Sequence, residues 1–93
     1  MKISGAQVKA ARELLKISRP ELARASGISE RTLRRFETDE DMPKPDSIGK
    51  IVSELERRGI EFTNGTGIGI RLIFEKAAEF ARLSAPPGKE PHR

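Results

Sequence analysis

Three segments near the start of the chain share one pattern, in which an apolar residue and a serine are followed, after three intervening residues, by another apolar residue. The segments are Ile3–Val8, Ile17–Leu22 and Ile28–Leu33. The serine is typical of a helix N-cap, because its hydroxyl accepts a free backbone N–H, and the apolar pair is typical of a hydrophobic staple. Glutamine or glutamate follows the first two serines by three positions (Gln7 and Glu21), which predicts two capping boxes. The pattern predicts helices near residues 5–16, 19–26 and 30–37.

The second and third predicted helices are joined by a short turn that contains one glycine, Gly27. A chain that reverses direction within a few residues often does so at a residue that tolerates a positive φ. Leu22 and Ala23 form the buried face of the helix before this turn. Leu33 and Phe36, three positions apart, share one face of the helix after it. This spacing predicts a helix-turn-helix.

Residues 38–46 contain two prolines and four acids without apolar periodicity, which predicts a loop. Asp46 or Ser47 is then expected to cap a fourth helix, and Gly59 is expected to end it. The apolar residues of this helix recur at helical spacing and are Ile48, Ile51, Val52 and Leu55.

Apolar residues alternate with polar ones and glycines after the fourth helix, which predicts a β-hairpin. An Asn-Gly pair at 64–65 favours a two-residue turn, but that register would set an isoleucine opposite a glutamate. The alternative register pairs Phe62 with Ile70 and Ile60 with Leu72, and it needs an odd-length loop. We predict the second register, because a slip of one residue would turn the apolar set toward solvent.

Residues 74–83 predict a last helix. Its apolar stripe consists of Ile73, Phe74, Ala77, Phe80 and Ala81. Residues 85–93 contain three prolines and no apolar periodicity, which predicts a disordered tail. The expected organisation is a helix-turn-helix domain over 1–58, an extension over 59–84 and the tail.

The composition excludes several classes of protein. The chain has no cysteine, and its single histidine, His92, cannot build a metal site alone, so we expect no metal and no cofactor. No nucleophile–base pair is present, and the glycine-rich stretch at 65–69 lacks the Lys-Ser/Thr of a phosphate-binding loop, so we expect no catalytic residue and no enzyme activity. No apolar run is long enough to span a membrane, which favours a cytoplasmic protein.

The net charge of +4 is distributed unevenly. Residues 1–37 contain nine lysines and arginines against four acids, whereas residues 38–46 contain four acids against one lysine. A basic block that coincides with a helix-turn-helix is the footprint expected of a protein that neutralises DNA phosphates. The exposed face of the third helix carries Arg31, Arg34 and Arg35.

Over residues 3–58 the sequence resembles the Cro/cI-type (XRE-type) helix-turn-helix regulators of bacteria and their phages. The matching residues are Arg12, Leu22, Ala23, Gly27, Ile28, Ser29, Leu33, Phe36 and Glu37. The resemblance implies a mainly α fold, a lambda-repressor-like bundle of four helices, here followed by a short β-hairpin and a C-terminal helix. It also implies a transcriptional regulator that binds specific double-stranded DNA, with the helix near 30–37 in the major groove, and a location on the nucleoid.

The resemblance assigns roles to individual residues. The family's base-reading positions correspond to Ser29, Glu30, Arg31 and Arg35, and a flanking position to Arg34. Arginine suits guanine O6 and N7, and glutamate can accept a hydrogen bond from a cytosine amino group. Arg19, Arg34 and Ser29 are expected to anchor phosphates.

Two positions, Arg12 and Glu37, match a structural ion pair that ties the first helix to the end of the third. The chain departs from the family at Arg19, where glutamine is usual, at Ser26, which is often apolar, and at Asp39, where the family has glycine after Glu-x. An acidic loop at 39–41 would repel a phosphate backbone, so it either swings away from DNA or weakens binding.

The partners of the extension are open at this stage. A two-fold interface built from the hairpin edge and the apolar stripe would make a homodimer on an inverted repeat, whereas residues 73–83 could instead fold back over the fourth helix of the same chain. The alternative function is an antitoxin or interaction module, whose C-terminal segment binds a partner protein while DNA binding serves autoregulation.

Overall fold

The computed structural model describes residues 2–84. Its elements are α1 (Gly5–Leu15), α2 (Arg19–Ser26), α3 (Glu30–Glu37), α4 (Pro45–Arg57), β1 (Ile60–Thr63), β2 (Gly69–Leu72) and α5 (Phe74–Ser84). The predicted fold class is confirmed: a mainly helical bundle of four helices is followed by an antiparallel hairpin and a further helix. The tail predicted at 85–93 lies outside the described residues.

Serines begin the first three helices, as predicted. The hydroxyls of Ser4, Ser18 and Ser29 each accept the backbone N–H of the residue three positions later. Ser4 and Gln7 form the complete capping box. The capping box predicted at Ser18 is only half formed. The Glu21 carboxylate does not accept the backbone N–H of Ser18 but lies 3.4 Å from Arg58 Nη1.

The predicted start of α4 is wrong. The helix begins at Pro45 and not after Asp46 or Ser47, and its N-cap, Lys44, makes no side-chain capping hydrogen bond. Proline suits this position because the first turn of a helix has unused N–H groups and needs the φ that the proline ring imposes.

The core joins α1–α4 and β1. Its buried apolar residues are Ile3, Val8, Ala11, Leu22, Ala23, Leu33, Phe36, Ile51, Leu55, Ile60 and Phe62. The turn between α2 and α3 uses Gly27 at φ 75°, which confirms the predicted reversal. Gly5 lets α1 approach α3 closely, because a Cβ at this position would lie 1.8 Å from the carbonyl oxygen of Phe36.

The hairpin packs on α1 in the predicted register. Ile60 pairs with Leu72 and Phe62 with Ile70. The side-chain nitrogen of Gln7 lies 3.1 Å from the carbonyl oxygens of both Thr63 and Gly69, at the end of the hairpin next to its loop. The extension is therefore joined to the helix-turn-helix unit by a buried polar contact as well as by the core.

The apolar stripe of α5 divides into two parts. Ala77 packs closely on Gly59, and the guanidinium carbons of Arg57 and Arg58 each lie 4.8 Å from the centre of the Phe80 ring. Phe74, in contrast, is 80% exposed. Folding back over the chain's own α4 thus accounts for Phe80 but leaves Phe74 uncovered. None of the helices within residues 2–84 has the length and apolar content needed to cross a membrane.

Candidate nucleic-acid interface

The two sides of α3 differ sharply in burial. Leu33 and Phe36 retain 0% and 2% of their accessible surface, which anchors the helix in the core. Glu30, Arg31 and Arg34 are exposed on the other side. The helix is therefore rigidly held by its apolar face and presents a charged, mostly basic face to solvent.

The start of α3 is fixed by its cap. Ser29 Oγ accepts the backbone N–H of Thr32 at 3.0 Å and lies 2.8 Å from Thr32 Oγ1. Ser29 and Glu30 are both exposed at this end of the helix. The structure thus places these two predicted contact residues together, where the free N–H groups and the helix dipole favour an anion.

Arg31 and Arg35 line one small cavity of about 80 Å³. Its other walls are Thr32, Asp41 and Pro43. Within residues 2–84, the buried Nε of Arg35 has no hydrogen-bond acceptor. A buried donor without an acceptor is unfavourable.

The acidic turn, which we define as residues 39–41, closes the other end of α3. The backbone N–H groups of Glu40 and Asp41 donate to the carbonyl oxygen of Arg35 at 2.8 and 3.2 Å. Asp39 has φ 65°, the left-handed conformation that favours glycine and that aspartate tolerates. The position at which the family resemblance has glycine therefore keeps a glycine-like backbone and adds a carboxylate.

The carboxylate of Glu40 is held near the arginines of α3. Thr38 Oγ1 lies 2.6 Å from Glu40 Oε2. The hydrogen bond from Thr38, followed by the positive charges of Arg34 and Arg35, lowers the pKa of Glu40 below its ordinary value. The acidic turn thus lies within electrostatic range of two predicted DNA-binding residues.

Glu37, the last residue of α3, binds two arginines. Its side chain is fully buried, and its Oε2 and Oε1 accept Arg12 Nε at 2.9 Å and Arg12 Nη2 at 3.0 Å. Arg19 Nε, from the first residue of α2, lies 3.2 Å from Glu37 Oε1. The hydrogen bond to Glu37 raises the pKa of Arg12, so this guanidinium stays charged.

The contact between Arg19 and Glu37 was missed by sequence reasoning. It joins side chains 18 residues apart, and the sequence contains no local signal for it. The structure otherwise brings the predicted residues into two groups: those of α3 with Ser29, and Arg19 beside the end of α3. Across residues 2–84 no group of three or more metal-ligating side chains comes together.

The comparisons with known proteins give one result. No curated protein matches the chain. The sequence model of a family described as helix-turn-helix matches residues 8–62, which is more than half of the chain and extends from α1 to β1. The protein therefore belongs to the Cro/cI-type (XRE-type) helix-turn-helix family of DNA-binding transcription regulators.

Proposed function

We propose that this regulator binds a specific double-stranded DNA sequence by inserting α3 into the major groove. The observation that carries the proposal is the division of α3 into a core-locked face (Leu33 and Phe36) and a basic face. A helix anchored in this way fixes the backbone positions from which its outward side chains project, and the major groove is wide enough to admit a helix.

The side chains of α3 suit different parts of the DNA. Arg31 and Arg35 each offer a planar fork of donors that matches guanine O6 and N7, and Glu30 can accept a hydrogen bond from a cytosine amino group. Arg34, Ser29 and Arg19 lie at the edges of this surface and contact phosphates, which fix register without reading sequence.

Alanine variants of the two base-reading arginines test the proposal. Arg31→Ala or Arg35→Ala should each weaken binding to the preferred site by about 1–3 kcal/mol and reduce discrimination at one base pair. Arg82→Ala is the matched control, since it removes the same charge from the exposed surface of α5. Fluorescence anisotropy on a preferred and a scrambled duplex makes the measurement. Equal weakening on both duplexes by the α3 variants would rule out base reading.

We also propose that the protein acts as a homodimer on an inverted repeat. One recognition helix reads only about four or five base pairs, and pairs of half-sites about one helical turn apart supply the remaining specificity. Phe74 and Leu83 of α5 are 80% and 69% exposed, and a two-fold interface would bury them. Sedimentation of the full chain at tens of micromolar should show a dimer, and Phe74→Ser with Leu83→Ser should show a monomer. If the wild-type protein is monomeric at this concentration, the free protein has no such interface, and a dimer could form only on DNA.

The same exposed residues favour a second candidate, an antitoxin whose α5 binds a partner protein. The two candidates differ in what buries Phe74. A toxin-like reading frame beside the gene, together with a stable complex of the two products that Phe74→Ser disrupts, would support the antitoxin over the homodimer.

A further inference from the structure

The buried carboxylate of Glu37 joins three helices at one point. Arg12 comes from α1, Arg19 begins α2, and Glu37 itself ends α3. Two guanidinium groups share one carboxylate, so the group of three residues keeps a net positive charge. That charge lies where the start of α2 meets the end of the helix that we propose reads the bases.

Arg19 is bound to Glu37 through its inner nitrogen. Within residues 2–84 the Nε of Arg19 is its one side-chain donor to a protein acceptor, at 3.2 Å, and the side chain keeps 26% of its accessible surface. The two terminal nitrogens are therefore available to a phosphate while Nε holds the guanidinium plane. Lysine also has donors enough for both, but they radiate from one nitrogen on a flexible chain, so it cannot hold the phosphate in a fixed plane relative to the carboxylate.

Arg12 is committed differently. Its Nε and Nη2 bind Glu37, and its Nη1 donates to the carbonyl oxygen of Ile17 at 3.2 Å, so every guanidinium nitrogen of Arg12 is used within the protein. The side chain of Arg12 is also more buried than that of Arg19, at 13% against 26% exposure. Arg12 thus fixes the carboxylate, and the carboxylate in turn fixes Arg19.

From this geometry we infer that Glu37 is a positioning residue for DNA binding: it holds the guanidinium of Arg19 at a set distance from α3, so that phosphate anchoring and base reading occur in one register. The inference rests on the proposed function. It gives Glu37 a role beyond stability, and it gives a reason for arginine at a position where the family resemblance has glutamine.

A double-mutant cycle on DNA affinity tests the inference. Arg19→Ala, Glu37→Gln and the double variant are titrated with a random 20-base-pair duplex and with the preferred duplex, at a temperature where circular dichroism shows every variant folded. Glu54→Gln is the matched control for lost stability, because Glu54 is also a buried carboxylate bound by two arginines, Arg57 and Arg58, but lies on α4.

Arg19→Ala should weaken binding about five- to tenfold near 0.1 M salt and reduce the salt slope by about one, as expected for one lost phosphate contact. Glu37→Gln should weaken binding by a similar factor on both duplexes, and the double variant should be no weaker than either single variant. Arg19→Lys should weaken DNA binding when Glu37 is present. In the Glu37→Gln background, the proteins with lysine and with arginine at position 19 should bind DNA equally well.

Two outcomes would overturn the inference, and a third would separate it from the proposed function. Fold-losses that multiply in the double variant would show that Glu37 and Arg19 act independently. A loss in Glu54→Gln as large as that in Glu37→Gln would assign the effect to stability. If the cycle behaves as expected while wild-type protein does not distinguish the two duplexes, the positioning role stands and the proposed base reading fails.

Discussion

Replacing Glu37 by glutamine should destabilise the fold strongly, because it removes the one negative charge that two partly buried arginines share. Three N–H groups lie 2.9, 3.0 and 3.2 Å from its carboxylate oxygens. Glutamine has nearly the same shape but offers one acceptor oxygen and turns an NH₂ group toward guanidinium donors. The two arginines therefore lose hydrogen bonds, and the glutamine NH₂ group is set against their own N–H donors.

The size of the effect follows from burial. Removing one partner of a buried ion pair costs about 3–5 kcal/mol. The side chains of Arg12 and Arg19 keep 13% and 26% exposure, so water can reach the freed guanidinium groups, and we expect a loss near the lower bound, about 3 kcal/mol. For a domain of this size each kcal/mol lowers the melting temperature by about 4–8 °C, which gives a decrease of about 12–24 °C.

Thermal and urea unfolding followed by circular dichroism measure this loss, with Arg19→Ala as the comparison. That variant leaves both hydrogen bonds from Arg12 to Glu37 intact, so it should lose no more than about 1 kcal/mol. A Glu37→Gln protein as stable as wild type, or an Arg19→Ala protein equally destabilised, would refute the reasoning that one buried carboxylate holds this junction. An altered base preference in Glu37→Gln would mean that Glu37 reads DNA directly.

Three further predictions concern the end of α3. Gly5→Ala should destabilise the protein by at least about 2 kcal/mol in urea unfolding, because the alanine Cβ would lie 1.8 Å from the backbone oxygen of Phe36. Gly49→Ala is the control and should be neutral or stabilising, because no atom lies within 4 Å of the added Cβ. Thr38→Val should raise the pKa of Glu40 toward its ordinary value, as read from the carboxyl carbon shift in NMR. Because the pKa of Glu40 is depressed in the folded protein, its hydrogen bond with Thr38 stabilises the fold above about pH 4.3, and this stabilisation is lost as the pH falls through the folded pKa. The difference in stability between wild type and Thr38→Val should therefore shrink in acid. A difference that grows in acid would contradict the claim that Thr38 lowers the pKa of Glu40. Asp39→Asn and Asp39→Gly both remove a negative charge from the acidic turn and should raise the affinity for every duplex alike. Asp39→Ala should raise the affinity too, but it should also lose about 1 kcal/mol of stability, because alanine tolerates a φ of 65° poorly. Unchanged affinity in all three variants would show that the acidic turn does not face DNA.

Local patterns predicted most of the fold because the determining residues are close in sequence. The Ser-capped starts of α1 to α3 and the glycine at the α2–α3 turn depend on contacts within a few positions. The hairpin register followed from keeping one face apolar, which leaves one acceptable pairing. The start of α4 was missed because proline at the first helical position competes with the two capping residues just after it.

The features that a sequence does not encode locally are the long-range ones. The closeness of Gly5 to Phe36 joins α1 to α3, and a lone glycine at the start of a helix carries no sign of its neighbour. The bond from Arg19 to Glu37 is equally remote, so the sequence assigned Arg19 to phosphate and Glu37 to stability without linking them. Exposed and basic side chains on α3 were predictable from its spacing, whereas the cavity that Arg31, Arg35 and Asp41 share required the loop after α3.

Parallel selection of bound duplexes from a random-sequence pool, by wild-type protein and by the Arg31→Ala, Arg35→Ala double variant, tests the central claim most directly. If α3 reads bases through these arginines, the wild-type protein should enrich one motif containing guanines, and the double variant should enrich no motif or lose the guanine positions while still binding DNA. Enrichment of the same motif by both proteins would contradict the account.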